Sequence, residues 1–286
     1  MKKFIIVKLT KILAKFGVAL LNENVKSFLD ESGRLQVLNR WVKPKVVSAE
    51  LLDFILNNLS NSQSQLQQDL LAHYINIISQ ESSKIRTIPG YFVEFGAADG
   101  KTLSNSYYLE KNLGWKGILS EPARIWHNQL FRDRNCIIDT RCIVGESIES
   151  VVFYETNEPE FSTIANHLSE DHHAAKRKNA VEYKVTAISL QIMLEENGAP
   201  QTIDYLSIDT EGSEFDIIKS FDFNLWDIRF VSIEHNYTSK REAIFEYMLS
   251  QGYLRILSDV SSWDDWYIKN DEKLIQKMGL VQLKSG

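Results

Sequence analysis

A mixed α/β fold, with a mostly parallel sheet and helices on both faces, is what this sequence predicts. Short apolar runs recur from Gly90 onward: YFVEF, GILS, CIIDTRCIV, VVFYE, VEYKVTA, IDYLSID, FVSIE and YLRIL, with helical segments between them. The first run leads into a glycine-bearing turn, Glu94-Phe95-Gly96-Ala97-Ala98-Asp99-Gly100. Ligands of such sheets bind at the carboxyl ends of the strands, so those ends are where chemistry is expected.

Size and charge set the limits. A chain of 286 residues with 44% apolar, 24% charged and 11% aromatic residues buries a large core, as one domain or one domain with an appendage. The net charge of −6 argues against a protein built to grip nucleic acid. Cys136 and Cys142 fall on one expected strand, on the same face but roughly 20 Å apart at about 3.3 Å per residue. They cannot bridge, which points to a reducing cytoplasm.

Residues 1–87 read as a helical N-terminal appendage to the α/β domain at 88–286. In MKKFIIVKLTKILAKFGVALL, Lys8, Lys11 and Lys15 interrupt the apolar stretch, which excludes a spanning helix or the apolar core of a secretion signal. On a helix these lysines oppose Ile5, Leu9, Ile12, Phe16 and Leu20. Such a helix docks on the domain or a second subunit, or lies on an anionic membrane surface. Leu51, Leu52, Ile55, Leu56 and Leu59 form the next amphipathic run. Leu66, Leu70, Leu71, Tyr74, Ile77 and Ile78 form another, after a polar break at Asn61 to Gln65.

After the first strand a helix is expected to open near Thr102 or Ser104. Gly96 and Gly100 permit a sharp turn and close approach to a ligand. The second strand ends at Glu121, where a carboxylate suits both hydroxyls of an adenosine ribose. A dinucleotide fingerprint wants a glycine where Ala98 stands, and Asp99 would repel a pyrophosphate. The same carboxylate tolerates the cationic sulfonium and amino group of S-adenosylmethionine. Helix or turn capping is the competing role for Glu94 and Asp99.

FVEFGAADGKTLSN, the acid in GILSEP, FSTI at Phe161 to Ile164, SIDTEGSEFDII and VSIEHN, in this order, resemble the FkbM family of S-adenosylmethionine-dependent methyltransferases, over roughly residues 64 to 268. The helix QQDLLAHY, with Gln68 and Asp69, resembles the segment before the first strand in relatives. The resemblance implies a class I methyltransferase, Rossmann-like fold: a seven-stranded sheet with an antiparallel last strand. It also implies O-methylation of a hydroxyl on a glycan or other secondary metabolite. It would set Glu94, Gly96, Ala97, Asp99 and Gly100 around the methionine end of the cofactor, Thr102 and Asn105 at its carboxylate, and Glu121 at the ribose. Ser162 and Thr163 would be substrate contacts. The third strand departs from the pattern, offering Asp139 and Arg141 in place of an obvious acid and leaving the adenine contact unassigned.

Asp209, Glu211 and Glu234 close the next two strands, with His235 and Asn236 after them. Carboxylates brought together raise one another's pKa, which is costly without a purpose. Direct removal of the acceptor's proton by Asp209, Glu211 or His235 is the preferred mechanism. A divalent cation held by Asp209 with Glu234 or Asn236 is the other. Capping of the helix that opens at Ser213 or Glu214 is the structural alternative for Asp209 and Glu211. His167, Asp171, His172 and His173 are spaced less well for a metal than for a solvated helix or a lid. Trp263 and Trp266 would pack at the sheet edge or stack on a sugar. The expectation is a cytoplasmic methyltransferase, with peripheral membrane contact through residues 1–21 as a further option. A nicotinamide-dependent oxidoreductase and a non-catalytic binding protein are its rivals.

Overall fold

The structure is a computed structural model, and it describes residues 40–42, 47–80, 89–156, 163–164, 180–210 and 212–279. Residues 1–21, Ser162, Glu211 and the His167 to His173 cluster lie outside the described residues. For Thr163 only the backbone is described.

Two helices precede the first strand. In α1 (Ala49–Asn58), Ser48 accepts from Leu51 N at 3.1 Å, and Leu51, Leu52, Ile55 and Leu56 are buried at helical spacing. α2 (Gln68–Gln80) buries Leu70, Leu71, Tyr74, Ile75 and Ile78. Ile75 takes the inward position expected of Ile77, which is half-buried. The chain continues through β1 (Tyr91–Phe95), α3 (Tyr107–Leu113), β2 (Lys116–Ser120), α4 (Arg124–Asp133) and β3 (Ile137–Asp139). Next come β4 (Cys142–Val144), β5 (Ile148–Glu155), β6 (Thr163–Ile164), β7 (Val181–Ser189) and α5 (Leu190–Glu196). The last third holds β8 (Thr202–Ile208), α6 (Glu214–Ser220), β9 (Asp227–Glu234), α7 (Lys240–Ser250), β10 (Tyr253–Ile256), β11 (Asp264–Lys269) and α8 (Glu272–Lys277).

Seven strands form the main sheet in the order β10-β11-β9-β8-β1-β2-β3. From β9 to β3 every pairing is parallel, whereas β11 runs antiparallel to both neighbours. This is the mostly parallel sheet with an antiparallel last strand that the sequence led us to expect. The strand order reverses between β8 and β1, which opens a crevice at their carboxyl ends.

Strand alternation divides the core into two layers. Phe92, Tyr205, Phe230, Trp266 and Ile268 face the layer that holds Trp41, α1, α2, α3 and α8, and the rings of Tyr205 and Phe230 stack 4.9 Å apart. Val93, Phe95, Leu206, Ile208, Val231 and Ile233 face α5, α6 and α7. The described helices before residue 88 thus share one core with the sheet.

Three local expectations need correction. CIIDTRCIV is two strands: Asp139 Oδ1 accepts from Arg141 N at 3.0 Å, turning the chain between β3 in the main sheet and β4 in a second one. The two cysteines therefore share no strand, and both are free. VVFYE and VEYKVTA pair antiparallel in that second sheet, of order β4-β7-β5-β6, and not within the parallel one. The polar residues of β5 and β7, Glu149, Glu155, Glu182 and Lys184, are the mark of a half-solvated sheet. Finally, DDWYIK is a strand, with Trp266, Tyr267 and Ile268 fully buried in the sheet interior rather than at its edge.

Leu70→Ala should cost about 2–5 kcal/mol. Urea denaturation followed by far-UV circular dichroism and tryptophan fluorescence should show one transition. An early, separate loss of helix would set α1 and α2 apart from the sheet's core.

Candidate active site

The turn after β1 is held by its own carboxylates. Gly96, Ala98 and Gly100 have φ of 67°, 45° and 73°. A Cβ on Gly96 would stand 2.0 Å from Asp209 O, so only glycine lets the turn pass the end of β8. Asp99 accepts from Lys101 N at 2.8 Å and from Thr102 N and Oγ1 at 2.7 Å each. Glu94, buried beneath, accepts from Ser104 Oγ at 3.0 Å, from Asn105 N at 2.7 Å and from Ser106 Oγ. Because these donors serve carboxylates, helix α3 opens only at Tyr107, later than Thr102 or Ser104. Burial pushes the Glu94 carboxyl up, and Arg134 opposes the shift.

Glu121, at the exit of β2, ties two strand ends together. Its Oε2 accepts from Ala98 N at 2.7 Å and its Oε1 from Ala123 N at 2.8 Å. Burial pushes this carboxyl up to about 7; the two N–H bonds oppose the shift, and Asp209 and Glu155 add to it.

Asp209 and Glu234, at the ends of β8 and β9, are hydrogen-bonded to each other through their side chains. Burial pushes Asp209 up to about 7, and the carboxylates of Asp264, Glu214 and Glu94 contribute. Asp264, at the start of β11, accepts from Gln68 Nε2 at 2.9 Å and is pushed up to about 6, again by burial first. The helix after β8 has no side-chain cap at Ser213; Glu214, its first residue, ties the turn before it, accepting from Thr210 N at 3.0 Å and Gly212 N at 2.9 Å. Asp209 is free of that duty.

These groups surround a cavity of about 810 Å³. Of the residues expected in a site, Glu94, Gly96, Ala97, Asp99, Thr102, Asn105, Glu121, Asp209, Glu234 and Asn236 lie on its wall. Gly100 and His235 do not. His235 turns away into the structure, where its Nδ1 accepts from Tyr237 N at 3.0 Å and its Nε2 stands 3.7 Å from Asp265 Oδ1. Buried, with its pKa lowered mainly by desolvation, it has no path to a ligand in the cavity. Asn236 and Tyr237, both left-handed at φ 43° and 55°, bring the chain back to the wall.

Most of the donors that Thr102 and Asn105 would offer a carboxylate are already engaged, and one Asn105 Nδ2 proton is left over. The Thr102 donors serve Asp99, Asn105 N serves Glu94, and Asn105 Nδ2 donates to Ser207 Oγ at 2.9 Å. Asn105 Oδ1 and Trp126 Nε1 are buried on the cavity wall with no protein partner among the described residues. Reading along the sequence missed Trp126, Phe153, Tyr237 and Asp264 as wall residues. The one available signal was the first acid in SSWDDWYI. Among the described residues no three His, Cys, Asp or Glu side chains form a group that could hold a metal ion, and no helix is long and apolar enough to cross a membrane.

The sequence model of the methyltransferase FkbM domain matches residues 94–255, from Glu94 on the cavity wall to β10. The chain belongs to the FkbM methyltransferase family. A comparison with curated proteins found no match. Among solved structures, a fibrillarin/Nop5p complex aligns with 68% of this chain and 79% of its own, at 10% identity and a TM-score of 0.30. The FkbM match spans Glu94, Glu121, Asp209 and Glu234 but stops short of Gln68, Trp263 and Asp264, so one end of the cavity is built outside it.

The raised carboxyls make stability depend on pH. In the folded chain Glu121 is held up at about 7, from 4.5, so it binds more protons than in the unfolded chain. Its stabilising contribution is full below about 4.5 and is lost as pH rises through about 7. His73, lowered to about 4 by burial, has the opposite slope in the acid range. Glu121→Gln should therefore remove up to roughly 1.4 kcal/mol per pH unit of slope between wild type and variant. Urea midpoints from pH 4.5 to 7.5 measure it, and parallel curves would refute the assignment.

Proposed function

We propose that this FkbM-family protein transfers the methyl group of S-adenosylmethionine to a hydroxyl of a glycan or other secondary metabolite. The observation that carries this reading is the placement of Glu121 and the Asp209–Glu234 carboxyl pair around one cavity. One acid suits a ribose, and the pair suits a hydroxyl that must lose its proton.

The wall fits the cofactor in its chemistry. Glu121 retains lone pairs for two ribose hydroxyls while accepting from Ala98 and Ala123. Asn105 Oδ1 offers the methionine end a free acceptor, and the Nδ2 proton that does not go to Ser207 offers a donor. When bound, S-adenosylmethionine supplies an electrophilic methyl on a sulfonium, a cation that the surrounding acids favour.

The pair at Asp209 and Glu234 handles the proton. A buried carboxyl near pH 7 is matched to general-base work at neutral pH, because its ionised form is populated and still basic enough to accept. As the acceptor oxygen gains the methyl, its proton passes to the Asp209 carboxylate and is shared with Glu234. Trp263 and Tyr237 provide aromatic faces at the same end of the cavity, and Asn236 and Gln65 provide amides, a combination suited to a hydroxylated ring. A divalent cation at Asp209 is the alternative route to the same ionised hydroxyl.

Calorimetric titration with S-adenosylhomocysteine, in parallel with NADH and with and without EDTA, tests the cofactor. Saturable binding of the homocysteine nucleoside alone is expected, and NADH binding in its place would overturn the reading. Asp209→Asn should lower kcat by about 100-fold or more and leave affinity for S-adenosylhomocysteine nearly unchanged. In the wild type, turnover on a hydroxylated acceptor should rise as pH passes through about 7, where Asp209 loses its proton.

A further inference from the structure

Arg134, just beyond the end of α4, is absent from the cavity wall. Its side chain is nevertheless fully buried, with 0% exposure. All three of its nitrogens are engaged: Nε donates to Glu110 Oε2 at 2.6 Å, Nη1 to Gly100 O at 2.6 Å and Ser104 Oγ at 3.3 Å, and Nη2 to Ser106 Oγ at 2.8 Å. Glu94 grips the same segment from the opposite side, accepting from both serine hydroxyls and from Asn105 N.

A hydroxyl has one proton to give and lone pairs with which to accept. With a guanidinium donating on one side and a carboxylate accepting on the other, Ser104 and Ser106 are oriented in both senses. Residues 100–106 contain no helix or strand, and Leu103 sits at a left-handed φ of 62°. These side-chain bonds hold the segment, together with two backbone turn bonds, Gly100 N to Ala97 O at 2.8 Å and Ser104 N to Lys101 O at 3.3 Å, and a single bridge between Leu103 and Ser64. Thr102, Leu103, Ser104 and Asn105 form that part of the cavity wall. A Cβ on Gly100 would meet Leu130 Cδ2 at 2.4 Å and Arg134 Cγ at 3.2 Å, so the turn is also fitted closely against the arginine.

We infer that Arg134 is a positioning residue for ligand binding, holding residues 100–106 in the shape that presents Asn105 to the amino-acid end of the bound nucleoside. The inference rests on the cofactor reading above. It requires the planar fork of arginine, because a single charge cannot serve a carboxylate, a carbonyl and two hydroxyls in fixed directions.

The test compares wild type, Arg134→Lys and Ser106→Ala. S-adenosylhomocysteine and methylthioadenosine, which lacks the amino-acid part, are each titrated by calorimetry, and amide hydrogen exchange of residues 100–106 is followed without ligand. Both substitutions should weaken S-adenosylhomocysteine by about tenfold or more, spare methylthioadenosine and speed exchange across the segment. Ser106→Ala carries the test if Arg134→Lys does not fold. Equal weakening of both ligands, or wild-type affinity for both in a folded variant, would overturn the role. If wild type binds neither nucleoside, the cofactor reading fails. Exchange rates then decide about Arg134 alone, and unchanged exchange in Arg134→Lys would sink it.

Discussion

Two backbone N–H groups, from Ala98 and Ala123, converge on the carboxylate of Glu121, and the site depends on that convergence. One N–H belongs to the turn after β1 and the other to the entry of α4, so a single side chain sets how far apart the first two strand ends lie. Burying that carboxylate is costly, and the two charge-assisted bonds offset part of the cost. The close approach of Gly96 to Asp209 O does the same for the other neighbour of β1. Together they bring three carboxyl ends, of β2, β1 and β8, to one cavity.

The acids around that cavity fall into two electrostatic classes. Glu94 has Arg134 and a set of hydroxyl and N–H donors, and its work is to shape a turn. Glu110 completes that arrangement, held below its usual range by Arg134 against the opposing effect of burial. Asp209, Glu234 and Asp264 stand at the other end, where burial raises both Asp209 and Asp264 and a neighbouring carboxylate adds to each shift, Asp264 for Asp209 and Asp265 for Asp264. Clustered carboxyls with raised pKa are a burden to a folded chain, and the cavity is where a hydroxyl or a cationic ligand would make use of them.

Residues on both sides of the FkbM-matched region complete the cavity. Gln68, from the start of α2, bonds Asp264, from the start of β11, across 196 positions of sequence. Asp69 beside it accepts from Ser62 Oγ at 2.6 Å and Gln63 N at 2.9 Å, shaping the loop that carries Gln65 to the wall. The helices before β1 thus serve the core and the site at once. Trp263, Asp264, Gln65 and Gln68 form the part of the wall that lies outside the matched region.

Much of this was legible in the sequence, for a definite physical reason. Alternating and helical apolar periods determined the parallel sheet and its covering helices, since burial enforces them locally. The glycine turn, Glu121 and the acids closing β8 and β9 were readable because strand ends and turns are marked by short-range chemistry. Tertiary structure decided the rest. Whether CIIDTRCIV is one strand or two, whether VVFYE joins the main sheet, and which side of the β9 exit carries His235 all depend on partners far away in the chain. The roles of Gln68, Asp264 and Arg134 depend on bonds spanning 196 positions in one case and 24 to 34 in the other. No local period records such a pairing, because a side chain's donors and acceptors acquire partners only when the fold brings them within about 3 Å.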